Sequence, residues 1–209
     1  MEINLTNKSL ESIISKSQRC QRNWDLSKQV TEEDLQTLKT AVTNCPSKQN
    51  VLFYKVIFVQ NREMIEKIHE SSDCFAYNFE PRKITTNPQI LANTVAVFVR
   101  DRDFSLGPRT QSEWEKGIVQ GKKDKDEYAA VGIAAGYLNL TAHMLGYKTG
   151  FYNSQWRQDT LSQMFGKEYI FCMLGIGYPD ESKHRRDHHL NPDFRFPTLS
   201  KTVQVEEWK

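Results

Sequence analysis

The amino-acid sequence predicts an α+β fold in one domain spanning residues 1–209. Three observations carry this. The runs VLFYKVIFV (51–59), TVAVFV (94–99) and YIFCMLGIGYP (169–179) are rich in β-branched and aromatic residues and read as strands. Between them, apolar residues recur at the 3.6-residue spacing of helices. No repeat, low-complexity tract or linker divides the chain.

The elements follow in order. Leu10, Ile13 and Ile14 give a short helical stripe. The segment SQRCQRNWD (17–25) then sets Arg19 and Arg22 three apart beside Trp24. Thr31-Glu32-Glu33-Asp34 reads as a capped helix start with acid in its first turn. Leu35, Leu38, Ala41 and Val42 supply that helix's buried stripe, and Cys45-Pro46 stops it. The 51–59 strand leads into a short helix, NREMIEKIHES (61–71). Residues 72–90, with Pro81 and Pro88, read as irregular. After the 94–99 strand a helix is expected at 112–119, and the charge run at 121–126 reads as a solvated loop. A long helix then covers about 126–145. Gly146 caps it, and 147–151 enters the sheet as a short strand. QWRQDTLSQMFG (155–166) is a further helix, ended by Gly166. Beyond the 169–179 strand, the tail at 182–201 is irregular and basic, and TVQVEEW (202–208) alternates like a late strand.

Composition limits the function. The net charge is +2, with 38% hydrophobic and 26% charged residues, as in ordinary globular proteins. A chain of this size buries roughly 70% of its unfolded surface and needs no disulfide or metal staple. No concentrated basic face argues for nucleic acid, whereas one small phosphate ligand is compatible. Cys20, Cys45, Cys74 and Cys172 form no CxxC and show no zinc spacing, so reduced thiols in the cytoplasm are expected. The polar start MEINLTNKSLESIISK reads as neither signal nor transit peptide, and no run of 18 apolar residues predicts a membrane span. His184, His188 and His189 lack a paired cysteine or a helix frame, so no metal is expected there.

The long helix raises a question. Val131, Ala134, Ala135, Leu138, Ala142 and Leu145 share one face, while Gly132 and Gly136 lie on an adjoining one. Each glycine costs about 1 kcal/mol against alanine in a helix. Close approach of another backbone would compensate, either in a monomer core or at a two-fold interface. Gly150, in the strand that follows, removes a side chain where backbone could face a flat ligand or form a bulge.

These segments resemble the nitroreductase family. The stretch A-x-G-x-A-A-x-x-L-x-L-x-A-x-x-L-G-Y-x-T-G, ending at Gly150, looks like that family's central helix and following strand. Gln18-Arg19-Cys20-Gln21-Arg22-Asn23-Trp24 is similar to its opening R-R-S-x-R-x-F. Cys45-Pro46-Ser47-Lys48-Gln49-Asn50 resembles its A-P-S-S-x-N, and Arg195-Phe196-Pro197 its closing R-x-P. The resemblance implies a three-layer fold, with a central, mostly antiparallel sheet flanked by helices and a C-terminal strand exchanged in a homodimer. It implies FMN as cofactor and hydride transfer from NAD(P)H to nitro, quinone or related acceptors by a ping-pong mechanism. Reductive dehalogenation, flavin destruction and non-catalytic FMN binding or redox sensing are its alternatives.

FMN needs cations for its phosphate, an apolar slot for its ring, and a cation near N1/O2 where charge grows on reduction. The resemblance assigns Arg19 and Arg195 to the phosphate, with Arg185 and Arg186 in reserve. Gln18 and Cys20 depart from the pattern, because glutamine carries no charge and a thiol is a poor donor. By residue type alone, Arg19 and Arg22 could equally be solvated surface groups. The resemblance places Arg22 near N1/O2, with Asn87 and Gln89 at the same edge. By type these last two are also ordinary turn residues around Pro88. Pro46, Ser47, Lys48 and Asn50 correspond to a loop that reaches the flavin from the second subunit, and Lys48 stands where a small residue is usual. Tyr152, Asn153 and Ser154 correspond to the segment facing N5 and O4. Phe104 and Trp114 are candidate roof residues. No side chain is required as nucleophile or general base.

Overall fold

A computed structural model describes residues 6–51, 53–72, 75–76, 84–85, 87–101, 120–153, 158–191, 193–198 and 203–208. The helix expected at 112–119, together with Phe104, Trp114 and Ser154, lies outside these residues. The helices are α1 (Asn7–Ser17), α2 (Glu32–Thr43), α3 (Arg62–Glu70), α4 (Gln120–Met144) and α5 (Gln158–Met164). The strands are β1 (Tyr54–Val59), β2 (Phe75–Ala76), β3 (Ile84–Thr85), β4 (Thr94–Arg100), β5 (Lys148–Tyr152) and β6 (Ile170–Gly177).

The main sheet has the order β1-β4-β6-β5 and is antiparallel throughout. Alternation along β4 and β6 makes it the middle of three layers, because successive side chains point to opposite faces. Ala96, Phe98, Leu174 and Ile176 pack with Leu35, Leu38 and Val42 of α2 and with Ala134, Leu138 and Ala142 of α4. Val95, Val97, Val99, Ile170 and Met173 pack on the other side with Ile65 and Ile68 of α3 and Leu161 of α5. A bulge lets Val99 pair with Ile170 directly after Phe98 pairs with Cys172, so Phe171 is the extra residue and joins the α2/α4 side.

Local signals fix the ends. Thr31 Oγ1 accepts from Asp34 N at 3.1 Å and Asn61 Oδ1 from Met64 N at 2.9 Å, capping α2 and α3. Gly146 and Gly166 take φ of 92° and 74° just past α4 and α5.

Three expectations are corrected, and a fourth loses one of its alternatives. The charge run 121–126 belongs to the first turns of α4; lysine suits a solvated helix as well as a loop, so its charge does not separate the two. The irregular stretch 72–90 holds the β2–β3 ladder and a 3₁₀ turn, Pro88–Ile90. Residues 203–208 carry no strand, and Val203, Val205 and Trp208 are 73%, 85% and 93% exposed. A strand requires a partner edge, which alternation alone does not supply. Gly132 and Gly136 lie on the exposed face of α4, where an added Cβ would meet nothing within 4 Å. Among the described residues nothing presses on them, which sets aside the monomer-core alternative and keeps the two-fold interface as an expectation. No described helix is long and apolar enough to cross a membrane.

Candidate functional site

The segment after α1 runs beside the ends of β5 and β6. Gln21 N donates to Thr149 O at 2.7 Å, Asp25 N to Tyr178 O at 2.9 Å and Asp180 N to Asn23 O at 3.0 Å. Asn23 Nδ2 donates to the carbonyls of His184 and Asp187 at 2.8 and 2.9 Å, which draws the tail onto the same surface. A cleft of ≈ 410 Å³ opens here, lined by Lys16, Arg19, Gln21, Lys148, Lys183 and Arg185 among others. Asp180 and Glu181 also line it, but Asp180 is engaged with Lys183 at 3.4 Å.

The guanidinium groups gather without a counter-ion. Burial lowers the pKa of Arg185, and the charges of Arg186, Arg22 and Arg19 lower it further. No ion pair joins any of these four to a carboxylate among the described residues. Instead Arg185 donates to Cys20 O at 3.2 Å and Arg186 to Phe196 O at 3.1 Å. The Cys20 thiol sits among Arg22, the Phe151 backbone and Arg185; burial pushes its pKa up, against those three. Arg195 Nε donates to Asp187 Oδ1 at 2.6 Å, so in this structure it is the one tail arginine of the three that is paired with a carboxylate among the described residues.

Next to the cleft is a polar spot inside the protein. Arg22 stacks its guanidinium 4.4 Å over the Phe196 ring, and its Nε is buried without a hydrogen-bond partner. Asn87 and Gln89 are buried, with Gln89 Nε2 donating to Asn87 Oδ1 at 3.4 Å. Gln89 Oε1 is buried and accepts nothing. Trp24 Nε1 donates to Pro88 O at 2.9 Å and pins this turn to the 18–25 segment.

Gly150 serves packing rather than a ligand. A Cβ there would lie 2.5 Å from Gln89 Cβ and 2.6 Å from Gln21 O. The missing side chain admits the Gln89 turn and the 18–22 segment, which corrects the expectation that its bare backbone faces a flat ligand. The Tyr152 side chain is buried in the core shared with α3 and α5, while Asn153 is exposed just past β5.

The 46–50 loop is not brought to this cluster. It precedes β1, at the sheet edge opposite β5. Lys48 Nζ pairs with Asp126 Oδ2 at 2.6 Å, and Asn50 takes φ 55°. Pro46 and Asn50 are exposed and Ser47 is half-buried.

Some of the convergence was hidden in the sequence. Lys16, Lys148 and Lys183 are isolated basic residues until α1, β5 and the tail meet. The tail histidines form a ladder: His69 to His189 at 5.8 Å, His189 to His188 at 4.8 Å, and His188 stacked on Phe196 at 5.7 Å. Only the pairing of His188 with His189 was visible beforehand. Among the described residues, no group of three or more His, Cys, Asp or Glu is arranged to hold a metal.

Fold and site together define a three-layer α+β protein with a cation-lined cleft beside a buried polar edge. The chain belongs to the nitroreductase family, whose sequence model matches residues 16–178. A protein of Archaeoglobus fulgidus, by its name an NADH dehydrogenase/NAD(P)H nitroreductase, is 25% identical over 171 residues, covering 79% of this chain and 85% of that one. The fold is similar to an FMN-dependent nitroreductase of Clostridium difficile, with TM-score 0.56, 18% identity, and 80% and 86% of the two chains covered. It is also similar to nitroreductase A of Vibrio parahaemolyticus, with TM-score 0.63, 17% identity, and 97% and 80% covered.

Proposed function

We propose that this chain is an FMN-dependent oxidoreductase passing hydride from NAD(P)H to nitro, quinone or related acceptors. The observation that carries the reading is a pair of buried atoms with opposite needs. Gln89 Oε1 lacks a donor and Arg22 Nε lacks an acceptor. Buried polar atoms are normally satisfied, so such orphans call for a ligand. A flavin pyrimidine edge offers an N3–H donor and the O2 and N1 acceptors. Arg19 and Arg185, which line the cleft without an ion pair among the described residues, suit a phosphate. The residues present therefore fit FMN.

Bound there, FMN supplies the redox chemistry, taking up and releasing hydride at N5. The chain supplies position and charge. Arg19 and Arg185 clasp the phosphate, with Arg186 holding Phe196 in place behind them. Asn87 and Gln89 read the pyrimidine edge, and Arg22 sets a fixed cation where negative charge grows on reduction. Tyr152 and Asn153, at the end of β5, would stand toward N5 and O4. Nicotinamide and acceptor use one slot in turn, so ping-pong kinetics are expected. Pro46, Ser47, Lys48 and Asn50 reach the flavin from the second subunit of a homodimer.

The test is direct. Purified protein is expected to be yellow, to release FMN on heating, and to oxidise NADH or NADPH when a quinone is supplied. Protein that stays colourless with added FMN overturns the reading. Bound FMN without turnover leaves a flavin-binding or redox-sensing protein.

A further inference from the structure

For one ligand to touch both the 18–22 segment and the end of β5, their spacing must be fixed. α1 rests on α4 through half-buried residues only and contributes no fully buried one, so packing alone fixes it weakly. One side chain in α4 spans the gap. Asn139 Nδ2 donates to Ser17 O at 3.0 Å, and its Oδ1 accepts from Thr149 Oγ1 at 2.5 Å. Thr149 is 1% exposed, and its carbonyl accepts from Gln21 N at 2.7 Å. The bonds close a ring: Asn139 to Ser17, along the chain to Gln21, across to Thr149, and back to Asn139. Ser17 lies two residues before Arg19, and Thr149 lies in β5 just before its last residues, 150–152.

We infer that Asn139 is a positioning residue, which holds the arginine segment at a set distance from β5 without itself touching the ligand. Its amide uses both ends, donor and acceptor, so no other residue type of that size replaces it. Binding groups must be held within about 0.5 Å of their working geometry, and hydrogen bonds behind them do this when packing does not. The inference rests on the FMN reading above.

The experiment compares FMN with riboflavin, which lacks the phosphate. Dissociation constants are measured by flavin fluorescence for the wild type, Asn139→Ala, Asn139→Asp, Thr149→Val and Thr149→Ser. If Asn139 positions the phosphate clasp, FMN binding weakens about tenfold in Asn139→Ala, Asn139→Asp and Thr149→Val, on the scale of a lost charge-assisted contact. Riboflavin binding changes by less than about threefold, because the ring contacts from 87–89 and β5 stay in place. Thr149→Ser keeps the hydroxyl and the wild-type preference for FMN. Equal weakening of both flavins would show general loosening and overturn the inference, as would an unchanged preference in all variants. Should the Asn139 variants fail to fold, the Val-against-Ser comparison at Thr149 decides alone. A wild type that binds neither flavin removes the FMN reading itself, whereas a wild type that binds FMN beside indifferent variants removes only the role of Asn139.

Discussion

Arg22 carries a charge that packing holds in one place. With its guanidinium 4.4 Å over Phe196, it cannot follow solvent as a surface arginine would. Arg22→Ala is expected to lower the two-electron flavin potential by tens of millivolts, since about 30 mV corresponds to ~1.4 kcal/mol for such a couple. Arg185→Ala is expected to weaken FMN binding about tenfold in both redox states, because phosphate charge does not change on reduction. Arg195→Ala is expected to do little, as its side chain is 55% exposed and committed to Asp187. Redox titration and FMN affinity measured on the three variants check these roles; an unchanged potential in FMN-loaded Arg22→Ala shows Arg22 misplaced. Gly150→Ala forces a Cβ against Gln89 and Gln21, and overpacking of this kind costs about 1–3 kcal/mol in denaturant unfolding. Arg19, Arg22, Asn87 and Gln89 could be proposed from the sequence because they sit in short motifs. That Arg185 rather than Arg195 lines the cleft could not, because a tail without regular structure has no period that says which way a side chain points.

Among the elements, the tail gains order from rings rather than from a ladder of backbone bonds. His69 ends α3, and His188 and His189 pack on it from the tail. The groups around them are cationic: Arg62 near His69 and Lys183 near His189. Burial first, then His188, His69 and Lys183, pushes the His189 pKa down to about 4, from an ordinary 6.5. His69 and His188 are also lowered, chiefly by burial. The sign follows. Between pH 6.5 and about 4 the unfolded chain binds the proton that folded His189 refuses. The stabilisation is intact above that window and is lost as pH falls through it. The melting temperature is expected to drop across the window, and His189→Phe to flatten the drop; an unchanged profile in that variant rules the ladder out as its source. Strands β4 and β6 and the end of α4 were legible because burial on both faces and a left-handed glycine leave plain marks. The start of α4 and the late strand were not, since solvated turns and unpartnered edges look alike in composition.

At the scale of the molecule, one chain leaves apolar surface uncovered in places that answer one another. α4 exposes Tyr128, Ile133, Tyr137 and Met144 at 49%, 38%, 47% and 43%, beside the open Gly132 and Gly136. Among the described residues β1 is an edge strand, and a cavity of ≈ 610 Å³ runs along it, lined by Val42, Tyr54, Val56, Ile57 and Phe58 and by Lys39 and Lys55. The tail offers Val203 and Val205 in alternation, followed by Glu206 and Glu207. Large exposed apolar patches on soluble proteins mark interaction sites, and a free strand edge is completed by adding a strand. The three-layer fold was legible from the alternation of helix and strand patterns. A homodimer cannot be read from one chain's core; the glycine face of α4, the alternation at 202–206 and the family resemblance are what lead to expecting one. Light scattering is expected to give a dimer for the full chain. Removal of residues 203–209, or Ile133→Asp on the α4 face, is expected to shift it toward monomer. If the 46–50 loop reaches the flavin from the second subunit, each change also weakens FMN binding and makes it depend on protein concentration, because ligand and assembly are then linked. A full chain that runs as a flavin-loaded monomer would refute both the exchange of the tail and the shared site.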